Sequence, residues 1–281
     1  MALTKTRYTN MKTSVLFLMA AIACSSAFAQ IKTPSPSPTC NFSQEFGLGQ
    51  IGINYSRPSA KGRIIFGDIV PYDQVWHTGS TSSAKFSTTE EIKLEGNTIA
   101  PGKYALYTIP GKLEWTIILN RDTSEAGKDY KQDYDVIRFN VKPILLPYKV
   151  ESFTIALTNL GMSAATMELS WENVLIPIKL ESDVDAKIMA MIQATLNPGP
   201  IANNYYTAAN YYFESGKDLN QALEWASAAA TMRPDAFWMS HLKAKIQARN
   251  QDYPGAIESA TKSMETAQQK SNDDYVKMNE K

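Results

Sequence analysis

The chain has 281 residues and carries 28 Lys and Arg against 28 Asp and Glu. A neutral balance without a basic block excludes the electrostatic footprint of a nucleic-acid binder. Two cysteines exclude a disulfide-stapled scaffold, and the length allows two modest domains.

In chain order, Lys5, Arg7 and Lys12 lead into the apolar run SVLFLMAAIACSSAFA, which ends in the small-x-small site Ala27-Phe28-Ala29. This is the layout of a bacterial secretory signal peptide over residues 1–29, cleaved after Ala29, and it predicts a periplasmic or secreted protein. The run is shorter than the roughly 20 residues of a spanning helix, so no transmembrane segment is predicted. Met11 is an alternative start. Cys24 imitates a lipoprotein site weakly, because Ala21 stands where Leu is expected. Cleavage removes three basic residues and no acidic ones, leaving 25 basic against 28 acidic, with Cys40 as the single cysteine. Packing alone must then hold the mature chain together.

Residues 30–41 contain IKTPSPSPT and read as an extended Pro/Ser-rich linker. Over 42–181 the hydrophobic period is two. QIGINYS sets Ile51, Ile53 and Tyr55 on one face; LEWTIILN alternates Trp115, Ile117 and Leu119; ESFTIALTN alternates Phe153, Ile155 and Leu157. In GKYALYTIPG, Tyr104, Leu106 and Thr108 oppose Ala105, Tyr107 and Ile109, and in TMELSW, Met167, Leu169 and Trp171 oppose polar neighbours. Such alternation, punctuated by EGN, APG and IPG turns, predicts an antiparallel β-sandwich or barrel. The polar stretch 120–135 reads as a surface loop whose acids lack the spacing of a calcium loop.

The period changes at Ser182. Ser182 with Asp185 has capping-box spacing, and Val184, Ile188, Met191, Ile192 and Leu196 form one helical stripe, so a helix over 183–196 is predicted. Beyond it the sequence repeats itself at a shift of 34: Gly216 meets Asn250, Asp218 meets Asp252, Ala222 meets Ala256, Leu223 meets Ile257 and Ala226 meets Ala260. This resembles the tetratricopeptide repeat, with Tyr205, Ala209, Tyr212 and Pro234 as further landmarks. Asn250 stands where Gly is usual and is expected to take the left-handed turn. The helix over 183–196 or the β-domain is expected to cover an end of the array. The fold class is thus α+β: a β-sandwich or barrel over 42–181, then a tetratricopeptide-like helical domain over 182–281 whose surface predicts a protein partner.

The stretch YSRPSAKGRIIFGDIVPYDQVWHTG, followed by PGKYALYTIPGKLEWTIILN, FTIALTN and LSWEN, resembles the bacterial exported family called domain of unknown function 2911, over about residues 43–180. The resemblance implies a signal peptide and, in some members, helical repeats behind; it implies no established substrate or reaction. Members usually have Arg after the Trp, within V-W-R-T-G. Here that residue is His77, so a role requiring a permanent cation there does not carry over.

Two readings of residues 55–79 stand side by side. In one, the segment is architecture: Pro58, Gly62, Gly67, Pro71 and Gly79 make turns, Trp76 plugs the core with its N–H on a backbone carbonyl, and Arg57, Lys61 and Arg63 lie on the surface or pair with Asp68 and Asp73. In the other, Arg57, Lys61, Arg63, Tyr72, Trp76 and His77 gather around a small anion or a sugar. A third possibility is a hydrolase-like centre with His77 as base and Asp68 or Asp73 as its orienting partner. No nucleophile elbow, zinc-ligand set or nucleotide-binding glycine motif supports it, so neither metal nor cofactor is predicted. His241 falls on a repeat helix and reads as a packing residue. The pairs Glu168 with Glu172, and Glu114 with Asp122, have the residue types of a glycosidase but sit on alternating wet faces, where such pairs arise by chance. The expectation is an exported, non-catalytic binding or scaffold protein, with a periplasmic hydrolase as the alternative.

Overall fold

The computed structural model describes residues 33–124, 130–197 and 199–280. The expected signal segment and the middle of the polar stretch 120–135 lie outside the described residues. Residues 33–38, from the expected linker, are mostly exposed and form neither strand nor helix.

Among the described residues ten strands follow: β1 (Thr39–Phe46), β2 (Gly49–Ser56), β3 (Ala84–Thr88), β4 (Ile92–Leu94), β5 (Asn97–Ile99), β6 (Gly102–Ile109), β7 (Trp115–Asn120), β8 (Asp135–Val141), β9 (Ile144–Thr158) and β10 (Ala164–Glu181). One sheet runs β1-β2-β3-β6-β7-β8 and the other β5-β4-β10-β9, with every pairing antiparallel. Neither sheet closes on itself, so the barrel alternative is not what forms. Two open sheets share one core instead. β1 starts at Thr39, which places Cys40, expected in the linker, within a strand and partly packed on that core.

The alternation read from sequence is what builds the core. Ile51, Ile53, Phe86, Leu106, Ile117 and Leu119 from the six-stranded sheet meet Leu94, Phe153, Ile155, Met167, Leu169 and Trp171 from the other. Each such side chain, fully buried, stabilises by roughly 1.5–3 kcal/mol. β4 and β5 are joined through Glu95 and Gly96, both left-handed at φ 46 and 79, the backbone of a type I′ hairpin. One departure concerns β6, expected to have a wet face. Ala105 and Tyr107 are buried too, in a second cluster with Ile118, because Tyr130 from the polar stretch folds over them.

Six helices follow among the described residues: α1 (Asp185–Leu196), α2 (Ala202–Glu214), α3 (Leu219–Met232), α4 (Phe237–Arg249), α5 (Tyr253–Gln269) and α6 (Asp273–Asn279). The Ser182 capping box does not form. Ser182 is buried and its N–H donates to Ser163 O, so it continues the end of β10, and the cap position falls to Val184 without a side-chain bond.

α4 starts 35 residues after α2, and α5 starts 34 after α3. Gly216, Gln251 and Ser271 each end a helix in the left-handed conformation, at φ 67, 64 and 54. After each, the next N–H returns five residues, from Lys217 to Tyr212 O, Asp252 to Gln247 O and Asn272 to Ala267 O, all at 2.9 Å. The left-handed residue of the second copy is therefore Gln251 and not Asn250, which keeps φ −85 as the helix cap. That turn is one residue shorter than the first, which displaces the alignment by one. Small Ala209, Ala222 and Ala226 let the helices approach around Phe213, Leu242 and Ile246.

Candidate functional site

Residues 57–80 leave β2 and travel along β9 to β6 without forming a long strand, so their conformation rests on specific bonds. Ala60 N donates to Glu151 O at 2.7 Å, Phe153 N to Pro58 O at 2.9 Å, and Ile65 N to Glu172 Oε2 at 3.3 Å. Asp73 N donates to Pro110 O, and Trp76 and Thr108 exchange both backbone bonds. Glu172 sits left-handed at a bulge in β10, which aims its carboxylate at this segment and at Lys149, 3.7 Å away.

The two arginines bond within the β-body. Arg57 donates from Nε to Phe153 O at 3.2 Å and from Nη2 to Thr154 Oγ1 at 2.8 Å, tying β2 of one sheet to β9 of the other. Arg63 donates to Ala60 O and Ser59 O. Lys61 takes a left-handed turn position, and its backbone N–H donates to Glu151 Oε1. No ion pair joins these three to Asp68 or Asp73 among the described residues. Both aspartates are exposed.

The aromatic residues divide. Tyr72 is half-buried on Gly67, with Lys112 Nζ 5.7 Å above its ring. Trp76 is buried at the centre of a cluster with Phe66, Trp115, Phe153 and Trp171, and its indole N–H donates to Gly79 O at 3.1 Å. His77 is half-buried; its carbonyl accepts from Ala84, and its Nε2 is enclosed without a hydrogen-bond partner. No hydrogen bond joins it to Asp68 or Asp73. Among the described residues no hydrogen bond, ion pair or ring contact links any two of Arg57, Lys61, Arg63, Tyr72, Trp76 and His77. The stretch runs along the joint between the sheets, bridged to β9 at Ser59–Ser152 and to β6 at Trp76–Thr108.

The paired acids are also engaged singly: Glu168 accepts from Thr158, Glu172 from Ile65, Glu114 from Asn140, and Asp122 from Ser124. No set of three or more His, Cys, Asp or Glu among the described residues is placed to hold a metal ion. No described helix is long and apolar enough to cross a membrane.

Exposed apolar side chains occur on both halves, Ile64, Leu113 and Leu145 on the β-body and Tyr253 and Ile257 on the helices, and two cavities lie against the helices. A cavity of about 370 Å3 opens between α1, α2 and the β1–β2 turn, lined by Leu48, Ile188, Met191, Ile192, Ala208 and Tyr211. α1 has no buried residue, and polar bonds at its start hold it to α2. Asp185 accepts from Tyr211 Oη at 2.6 Å and pairs with Lys217 at 2.7 Å. Lys217, then the Tyr211 hydroxyl, hold the Asp185 carboxyl below its ordinary value, while burial and then Asp185 push the Tyr211 hydroxyl up to about 12. A second cavity, about 460 Å3, lies between α4 and α5 beside Met278. Sequence reasoning did not find either one. The available signal was exposed apolar residues, such as Ile257 and Tyr253, on the second repeat helix.

No curated protein and no solved structure matches the chain. The family model described as Protein of unknown function (DUF2911) matches residues 37–180, a little over half of the chain. The chain belongs to that family.

Proposed function

We propose that this chain is an exported, non-catalytic scaffold. Its β-body serves as a rigid mount, and its helices, a tetratricopeptide-like array, hold a protein partner. One observation carries the reading: the cationic and aromatic residues that most resemble a site, Arg57, Arg63 and Trp76, direct their polar groups to acceptors within the β-body, while two apolar cavities open against the helices. The 34- to 35-residue helix spacing and the three left-handed helix ends support the array assignment. The N-terminal pattern through Ala29 supports export.

The test places photo-crosslinking residues singly at Met191 and Tyr253 on the helices and at Leu145 and Tyr148 on the β-body, all exposed. Protein adducts from the helical positions, on a chain whose amino terminus is Gln30, are expected. Adducts confined to the β-body, or a chain retained uncleaved in the cytoplasm, would refute the proposal.

The hydrolase alternative, His77 with Asp68 or Asp73, has one observation behind it, the enclosed and unpartnered His77 Nε2. A general base also needs a group to orient it. Turnover in a hydrolase substrate screen, abolished by His77→Gln, would establish that alternative. A melting shift with sugars or organic anions that Arg57→Ala removes would add a ligand to the β-body.

A further inference from the structure

Among the described residues, His77 Nε2 is the one enclosed side-chain nitrogen or oxygen without a hydrogen-bond partner. Buried polar atoms are almost always paired, so a lone one calls for a physical reason. The strand register shows what stands beside it. One side of β6 is bordered by two pieces of chain. β3 sets Lys85 opposite Ala105 and Ala84 opposite Leu106. Residues 76–77 take over beyond it, where Trp76 and Thr108 exchange both backbone bonds. Ala84 N donates to His77 O at 3.0 Å and fastens the two pieces together.

His77 therefore stands opposite Tyr107. Trp76 and Thr108 are buried toward the core, and strand side chains alternate, so His77 and Tyr107 lie on the other face of the sheet with Lys85 and Ala105. In such a ladder, residues directly opposite have Cβ atoms about 5 Å apart and diagonal ones about 7–8 Å. His77, Tyr107 and Lys85 are thus neighbours around the small side chain of Ala105.

The acceptors of this face are already taken. Asp135 accepts from Tyr130 Oη at 2.6 Å and Asn120 Nδ2 at 2.9 Å, with Arg138 Nε 3.6 Å away. Asp122 accepts from Ser124 N, and Asn120 Oδ1 accepts from Asp122 N. Left over are donors: the His77 ring nitrogen and the Tyr107 hydroxyl, which bonds to no described group. Beside them the Lys85 ammonium, donating to Ser83 Oγ at 2.7 Å, adds positive charge.

We infer that this face of the six-stranded sheet binds a small carboxylate. One carboxylate oxygen accepts from His77 Nε2–H and the other from Tyr107 Oη, and Lys85 balances the charge. The site goes beyond the scaffold function and does not rest on it, since a rigid mount needs no ligand.

The test uses the two histidines of the chain as reporters. His77 sits at this face, while His241 bonds to Asn279 in the helical half. Their ring signals are followed by NMR in the mature chain, with His77→Gln as the assignment. Sodium acetate is titrated at constant ionic strength to about 0.1 M, a range that suits so small a ligand, against its uncharged isostere acetamide. A saturable shift of the His77 signal by acetate, with acetamide inert and His241 unmoved, is expected. Tyr107→Phe removes one donor and should weaken acetate about tenfold or more. Should Tyr107→Phe fail to fold by circular dichroism, Lys85→Gln is expected to weaken it in the same sense. Leu145→Ala, exposed elsewhere on the β-body, should leave it unchanged. No acetate shift at His77, an equal response to acetamide, or binding indifferent to the substituted donors overturns the inference. Crosslinking at the helices decides the scaffold function separately.

Discussion

The Trp76 indole N–H donates to the carbonyl of Gly79 at 3.1 Å, closing a four-residue loop in which Thr78 is left-handed and wholly buried. Thr78 Oγ1 bonds to Trp76 O and to Thr108 Oγ1, so loop, β6 and aromatic cluster are fastened at one point. Trp76→Phe keeps most of the ring but leaves the Gly79 carbonyl without its donor, and a cost of about 1–3 kcal/mol is expected in urea unfolding. An unchanged midpoint would show that the bond contributes nothing.

Gly79 is constrained from the other side. A Cβ there would lie 2.9 Å from Ser82 O, a backbone atom, and 3.1 Å from Oγ of the buried Ser56. Gly79→Ala is expected to destabilise by about 1–3 kcal/mol through overpacking. Wild-type stability for this variant would mean the loop can shift freely.

Arg57 joins the two sheets through Phe153 O and Thr154 Oγ1. Arg57→Ala should lower stability by about 1–3 kcal/mol with no ligand present, since charge-assisted bonds are lost and their acceptors are left behind. Arg57→Lys should rescue only part of it, because an ammonium cannot make the two-pronged contact. If Arg57→Ala matches wild type in chemical denaturation, Arg57 is free for another role.

Two tyrosines should titrate late. Burial first, then hydrogen bonding to Asp135 and Asp185 respectively, pushes Tyr130 and Tyr211 up to about 12 from an ordinary 10.0. A raised folded pKa favours the protonated phenol in the fold, so this stabilisation is complete below about pH 10 and is lost as pH rises toward 12. For Asp185 the sign is opposite. Its lowered pKa gives stability that is present above its ordinary 3.8 and lost as pH falls. The attachment of α1 should therefore weaken at both extremes. Tyrosinate absorbance checks this: a late phase that loses one tyrosine in Tyr211→Phe is expected, and a single common transition near the ordinary value would contradict it.

Gly216 and Gln251 occupy the same left-handed helix-end position, at φ 67 and 64. A Cβ on Gly216 would meet nothing within 4 Å, so the cost of Gly216→Ala is backbone strain alone, about 1 kcal/mol. Gln251→Gly should do the reverse and raise the melting temperature, by about 0.5–1 kcal/mol in stability. Equal signs for the two variants would refute the shared geometry.

Much of the fold was legible because periodicity is local. Alternation in β2, β7 and β10 named the core residues Ile51, Ile53, Ile117, Leu119, Met167, Leu169 and Trp171, and the two-fold recurrence of Asp218 and Asp252 marked real helix starts. Where expectation and structure part, a distant neighbour is the cause. The wet face of β6 is covered by Tyr130, Ser182 is claimed by Ser163 before it can cap a helix, and Cys40 is drawn into a strand by pairing with Tyr55.

The candidate site divides along the same line. That residues 55–79 are rich in Arg, Lys, Trp and His is written in the chain, but the acceptors of Arg57 lie 96 and 97 positions away on β9. Sequence by itself determined which side chains face inward, since the strand and helix periods impose sidedness on each segment alone. Only the tertiary structure decided what each face meets. That is why the Arg57 guanidinium ended on Phe153 O and Thr154 Oγ1 of the opposite sheet.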